Sequence, residues 1–241
     1  MKFDNKIFIA NWKLNKTLTE SKIFFSEILP YIKNGKVWIA PPVCNLYGLK
    51  LEFKNCMIGA QTVSSFESGA YTGEVSASML KDINADFCII GHSERRNIFF
   101  EDDFQISKKL NNLVKNNIYP ILCVGETADE RKKDLTFEKI ENQILSAVDL
   151  VKNNLKSIAI AYEPIWAIGS SKPANPQEVN EVLAFIKKIT VEILPMTDVK
   201  LIYGGSVTPD NISDFLNLSL LDGVLVGGAS LDLTIFKSFI L

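Results

Sequence analysis

The chain has 241 residues, 47% of them hydrophobic, enough to bury a large core, and it contains no run of 18 apolar residues long enough to cross a membrane. Its net charge is −2 with acids and bases interspersed, which argues against nucleic acid or an anionic membrane as a partner, so any bound anion must be held locally. The four cysteines, Cys44, Cys56, Cys88 and Cys123, form no CxxC pair and have only one histidine beside them, so neither a metal nor a cofactor is expected.

The N-terminal stretch MKFDNKIFIANWK has a short apolar segment but no small-residue cleavage site, and no secretory leader is expected. Cys88 and Cys123 lie within apolar runs and read as buried thiols of a reducing, cytoplasmic compartment. Eight apolar, β-rich runs follow one another at 6–11, 37–42, 57–61, 87–91, 119–126, 157–163, 201–205 and 223–228. Amphipathic helical patterns lie between them. Residues 17–32 put Leu18, Ile23, Phe24, Ile28 and Leu29 on one side behind a Thr17/Glu20 capping box. Residues 103–114 do the same with Ile106, Leu110 and Leu113, and 140–151 and 179–194 are equally amphipathic. Thr208 and Pro209 are expected to open a further short helix.

Strands apolar throughout and alternating with helices imply parallel pairing through right-handed crossovers. Eight of them favour a closed α/β (βα)8 barrel over a doubly wound sheet, which would also want a glycine-rich turn where this chain reads ANWKLNK. No linker or composition shift divides the chain, so one barrel domain over residues 1–241 is expected.

In such a barrel the strand C-termini open onto one face. The residues there are Asn11 and Lys13, Gln61, His92 and Glu94, Glu126, Glu163, Gly204-Gly205-Ser206 and Gly227-Gly228. Glu163 ends the sixth run, and taken alone it could equally cap a helix or pair with a lysine. After it, Pro164, Ile165, Trp166, Ala167 and Ile168 read as a greasy lid, too short and too Gly/Ser-rich to be a helix. His92 precedes SERRN, which can begin a helix, and a helix N-terminus disfavours imidazolium; the ring is expected neutral and able to polarise a carbonyl, although a lone histidine is commonly a bystander. Lys13 is either a solvated lysine or a fixed positive charge for an anionic substrate. The paired glycines at the last two strand ends suit a phosphate cradle of backbone N–H groups, although turns use glycine freely. Together these groups suit proton abstraction next to a carbonyl.

Ala10-Asn11-Trp12-Lys13, Gly91-His92-Ser93-Glu94-Arg95-Arg96, the run AYEPIWAIG over 161–169, Tyr203-Gly204-Gly205-Ser206-Val207 and Val226-Gly227-Gly228-Ala229-Ser230-Leu231 resemble the triosephosphate isomerase family, in order and across the whole chain. The resemblance implies interconversion of dihydroxyacetone phosphate and D-glyceraldehyde 3-phosphate through an enediol(ate), a step of glycolysis and gluconeogenesis. It implies Glu163 as the base, His92 as neutral electrophile, Lys13 and Asn11 stabilising the oxyanion, and Glu94 organising the site. Gly169, Ser206, Gly227 and Gly228 would hold the phosphate through backbone N–H groups. Ile168 and Leu225 would dry the base as the lid over 164–174 closes. The segment SSFESGAYTGEVS (64–76) resembles the family's docking loop, which implies a homodimer in which Thr72 reaches the partner's site near Asn11 and Glu74 pairs with Arg95 across the interface; Phe66 and Tyr71 would be poorly hidden on a monomer.

Two departures stand out. The lid continues as Ser170-Ser171-Lys172-Pro173, and Pro173 is expected to stiffen its C-terminal hinge and alter lid kinetics. Phe100 stands where the family commonly has glycine, with no function to account for it. The rival readings are a barrel that kept the phosphate cradle but lost catalysis, which Lys13, His92 and Glu163 together argue against, and another phosphate-binding barrel enzyme. A Schiff-base aldolase would need a lysine inside a strand, and none of the eight apolar runs carries one in its interior.

Overall fold

Along each apolar run successive side chains point to opposite faces, and both faces are buried. The structure, a computed structural model that describes residues 5–32, 35–168 and 173–241, arranges these runs as eight parallel strands. They are β1 (Ile7–Asn11), β2 (Val37–Ala40), β3 (Met57–Ile58), β4 (Phe87–Ile90), β5 (Tyr119–Val124), β6 (Ser157–Tyr162), β7 (Asp198–Tyr203) and β8 (Gly223–Val226). Their hydrogen-bonded order is β3-β2-β1-β8-β7-β6-β5-β4. The ends of that series meet: Ala60 N–H donates to Phe87 O and Ile89 N–H to Ala60 O, each over 2.9 Å. The expected barrel therefore closes.

One face of each strand fills the barrel axis with a cluster that includes Ile9, Trp38, Phe87, Ile121, Cys123, Ala161 and Leu225. Register layers them: Ile9 lies opposite Trp38 and Leu225, and Cys123 opposite Ala161. Continued past the strand ends, the same period of two directs Asn11, Glu163, Gly204 and Gly227 inward at the mouth. The other strand face packs under the helices in a larger cluster that includes Phe8, Leu122, Tyr162 and Tyr203.

The helices are α1 (Leu18–Ile28), α2 (Val43–Glu52), α3 (Ala77–Asp82), α4 (Ser93–Asn97), α5 (Asp103–Lys115), α6 (Ala128–Lys132), α7 (Thr136–Val148), α8 (Pro176–Ile193), α9 (Ile212–Leu216) and α10 (Leu233–Ile240). Thr17 and Glu20 form the expected capping box on α1. That helix stops at Ile28, short of the expected Ile32, because Pro30 carries the chain into a 3-10 turn over Leu29–Tyr31. Sequence periodicity did not reveal α2, whose Tyr47 and Leu51 are exposed and whose N-cap Pro42 supplies no side-chain cap. Thr208 supplies no side-chain cap: its carbonyl accepts the Ile212 N–H over 3.0 Å, its own N–H donates to Asn211 Oδ1 over 2.8 Å, and α9 begins only at Ile212.

β7 begins at Asp198, earlier than its apolar run, and so places Lys200 within a strand. Its ammonium lies at the end of the barrel away from the mouth, 3.6 Å from Asp198 and 4.0 Å from Asp222. A strand lysine therefore exists, but at the wrong end for chemistry at the mouth. Phe100 adopts φ 56°, a left-handed conformation that suits glycine, and its ring is 82% exposed. Cys56, Cys88 and Cys123 are buried free thiols and Cys44 is exposed. Among the described residues no helix is long and apolar enough to cross a membrane.

Candidate active site

A cavity of about 430 Å³ opens at the C-terminal mouth, lined by Asn11, Lys13, His92, Glu163, the glycine turns after β7 and β8, and the apolar Ile168 and Leu225. Glu163 is 2% exposed. Its Oε2 accepts the Ser93 N–H over 2.8 Å, the first amide of α4, and its Oε1 lies 3.2 Å from His92 Nε2. His92 caps α4, and its Nδ1 accepts the Glu94 N–H over 3.2 Å. A ring whose Nδ1 accepts a hydrogen bond is neutral and carries its proton on Nε2. Its Nε2 turns to Glu163 at the mouth.

The carboxylate is boxed in from below. A Cβ on Gly204 would sit 2.9 Å from Glu163 Cγ, so only glycine lets the strand run this close. Cys123 lies one layer deeper, and burial, followed by the charge of Glu163, holds its thiol protonated well above the ordinary range.

Lys13 is not a solvated lysine. Its backbone takes the left-handed φ of 52°, and that costly turn is held from two sides: Lys13 N–H donates to Asn11 Oδ1 (3.1 Å), and Gln61 Nε2 donates to Lys13 O (2.9 Å). Gln61 is anchored in turn on Ala40 O at 2.9 Å. The ammonium meets Glu94 Oε1 at 2.7 Å, which fixes it at the cavity wall.

Beyond β8 the chain makes a 3-10 turn over Gly228–Ser230, braced by Ser230 Oγ donating to Gly227 O over 2.6 Å. With Ser206 it lines the cavity, and no arginine does. Backbone amides at such a turn are the means available for gripping a phosphate. Ser206 Oγ also donates to Ala167 O over 2.8 Å, joining this wall to the segment that follows Glu163. Gly169, expected to contribute an amide, and Ser170, Ser171 and Lys172 lie outside the described residues.

The segment after Glu163 is more ordered than its composition suggests. Ile165–Ala167 forms a 3-10 turn following Pro164, with Ala167 buried. Trp166 donates its indole N–H to Glu126 Oε1 (2.9 Å) and stacks under the Arg131 guanidinium, 4.5 Å from the ring centroid. Glu126 does not face the mouth. It is fully buried toward the helix layer, where Oε1 also accepts Tyr162 Oη (3.1 Å) and Arg131 Nη1 (3.2 Å). Sequence reasoning placed Glu126 at the rim without a role and did not single out Ser93 or Arg131. Parity held the signal for Glu126, since in β5 the inward positions are Ile121 and Cys123.

Thr72 and Glu74 stand exposed on a projecting loop whose stem is closed by Ser64 N–H donating to Val75 O over 2.8 Å. Phe66 and Tyr71 stack on each other there at 3.7 Å and remain 40% and 42% exposed. Within the chain Arg95 is paired with Glu101, Nε at 2.7 Å and Nη2 at 2.6 Å, and its guanidinium lies over Phe99. Leu14, between Lys13 and Asn15, is 96% exposed, an apolar tip that periodicity does not reveal.

A family model described as triosephosphate isomerase matches residues 6–241. Curated relatives named triosephosphate isomerase include one from Mesomycoplasma hyorhinis, 42% identical over 238 residues and covering 95% of each chain. One from Aquifex aeolicus is 40% identical over 94% of this chain and 95% of its own, and one from Dictyoglomus thermophilum is 43% identical over 94% of each.

Proposed function

The chain belongs to the triosephosphate isomerase family, and from that premise we propose how the residues at its mouth carry out the reaction. It interconverts dihydroxyacetone phosphate and D-glyceraldehyde 3-phosphate, an aldose–ketose isomerisation by proton transfer. The phosphate rests on the amides of Gly227, Gly228 and Ser206, with Gly169 closing over it. That placement puts the substrate carbonyl against His92 Nε2–H and the Lys13 ammonium. Glu163, released from His92 as the carbonyl takes over that hydrogen bond, abstracts the proton from the neighbouring carbon. The electron pair moves onto the carbonyl oxygen, and Lys13, Asn11 and His92 stabilise the enediolate charge. His92 then relays a proton between the two oxygens while Glu163 returns its own to the adjacent carbon. Glu94 keeps Lys13 in place.

The observation that supports this most is the pairing of Glu163 with a neutral His92 across 3.2 Å in a cavity that also holds Lys13. Ile168 and Leu225 line the same cavity and keep the base in apolar surroundings. Turnover in heavy water tests the proton route. Proton abstraction exchanges with solvent and leaves deuterium on product carbon, whereas a direct hydride shift would leave none.

The working assembly is a homodimer in a reducing cytoplasm. Thr72 of the projecting loop approaches the partner's Asn11 region, and Glu74 approaches Arg95, which it shares with Glu101. The half-exposed Phe66–Tyr71 stack and the bare Leu14 support this, since a monomer leaves them in water. The unpaired thiols support the compartment. Sedimentation at assay concentration should show a dimer; an active monomer would end the dimer reading.

A further inference from the structure

We propose that Lys16 is a positioning residue for the phosphate cradle, acting through the carbonyl of Leu231 at the far end of the turn that grips the phosphate. This inference rests on the isomerase reading above. Lys16 lines no part of the cavity, yet its backbone takes φ 70°, a left-handed conformation costly for any residue with a side chain. Asn45, 3% exposed, holds that conformation by donating its Nδ2–H to Lys16 O over 2.8 Å. The turn sends the side chain across two aromatic rings, with the ammonium 5.5 Å from the centroid of Trp12 and 4.9 Å from that of Phe24. There Nζ donates to Leu231 O over 2.9 Å.

Leu231 closes the 3-10 turn Gly228–Ser230, its own N–H donating to Gly228 O over 3.0 Å. One end of this short turn lines the cavity through Gly227, Gly228 and Ala229, whose amides the proposed function assigns to the phosphate, and the other presents a carbonyl to Lys16. A cation at the carbonyl end both fixes the turn and aligns with its peptide dipoles in the sense that favours an anion at the amide end. The contact also ties the β1 loop, which carries Lys13, to the phosphate wall across 215 positions of sequence. The reacting carbon and its base are not touched.

The test compares the native chain with Lys16→Met, Lys16→Gly and Lys16→Arg on glyceraldehyde 3-phosphate and on glyceraldehyde, which lacks the phosphate. Inorganic phosphate serves as a competing ligand. Lys16→Gly suits the left-handed φ and removes the ammonium, so loss of phosphate grip separates from loss of stability. The expected result for Lys16→Met and Lys16→Gly is a rise of about tenfold in KM and in the phosphate inhibition constant, with kcat within about twofold. Turnover of glyceraldehyde should not change, and Lys16→Arg should restore most of the grip. Unchanged KM and phosphate inhibition overturn the inference. So does an equal loss on both substrates, which would place Lys16 in general support of the β1 loop. A native chain that fails to turn over glyceraldehyde 3-phosphate defeats the isomerase reading itself, so the two failures are distinguishable.

Discussion

Trp166 donates its indole N–H to Glu126 across 2.9 Å, and that carboxylate is fully buried. The bond pins the chain three residues beyond the base and so sets where Ile168 meets the cavity. Trp166→Phe keeps a ring under Arg131 but removes the donor to a charged acceptor. It should lower unfolding free energy by about 1–2 kcal/mol in urea titrations and reduce kcat/KM. A variant as stable and as active as the native chain would show the bond to be idle.

Gly228 lines the cavity, and a Cβ placed on it meets nothing within 4 Å. Gly228→Ala should therefore fold normally while putting a methyl group into the cavity, where the proposed function seats the phosphate. The expectation is a KM raised about tenfold or more, with stability unchanged or about 0.5 kcal/mol higher because the unfolded chain loses freedom. An unaltered KM would mean the phosphate sits elsewhere.

Phe100 holds a left-handed φ of 56°, a conformation that suits glycine. The side chain gains no burial in return, since Phe100 is 82% exposed. Phe100→Gly should raise stability by roughly 1 kcal/mol, the left-handed penalty less the added chain entropy of glycine. Thermal melts of the two proteins at equal concentration decide it; a lower melting temperature would mean the ring is buried in the working assembly.

Stability should fall steeply on the alkaline side. Burial lifts the thiols of Cys88 and Cys123 above 9.0 and the phenols of Tyr119, Tyr162 and Tyr203 above 10.0. Each folded value exceeds the unfolded one, so each group's contribution is complete below the unfolded value and is lost as pH rises beyond it. The slope is about 1.4 kcal/mol per pH unit per group in that window. Burial depresses Lys6 and Lys109 below 10.5, which works in the opposite sense, but two groups oppose six, since burial lifts the Cys56 thiol as well. Urea midpoints measured from pH 8 to 11 should drop above about pH 9; a flat profile would contradict the burial of these groups.

Much of the site was legible in the sequence because a barrel puts every strand end on one face. Glu163, His92 and Lys13 stand at such ends, and His92 was tied to a helix start that fixes its proton. The list of strand ends alone could not separate Glu163 from Glu126. The period of two does: Glu163 continues the inward positions Ala159 and Ala161, whereas Glu126 falls one residue out of step and turns to Tyr162. Lys200 and Thr208 misled for another reason. Lys200 sits inside β7, which starts earlier than its apolar run, and Thr208 precedes α9; hydrogen bonds invisible in local pattern, Leu201 N–H to Asp222 and Thr208 N–H to Asn211, help set those boundaries. The clamps on Lys13 and Lys16 were equally hidden, because Gln61 reaches one from the loop after β3 and Asn45 reaches the other from α2.

The central claim is that Glu163 moves the proton. The most direct measurement is turnover of glyceraldehyde 3-phosphate by the native chain and by Glu163→Gln, with affinity for a phosphate-bearing inhibitor measured on both. Rapid native turnover that collapses by at least about a thousandfold in the variant, with inhibitor affinity retained, is the expected result. A variant that keeps most of its activity would contradict the assignment and move the search for the base to another residue of the mouth.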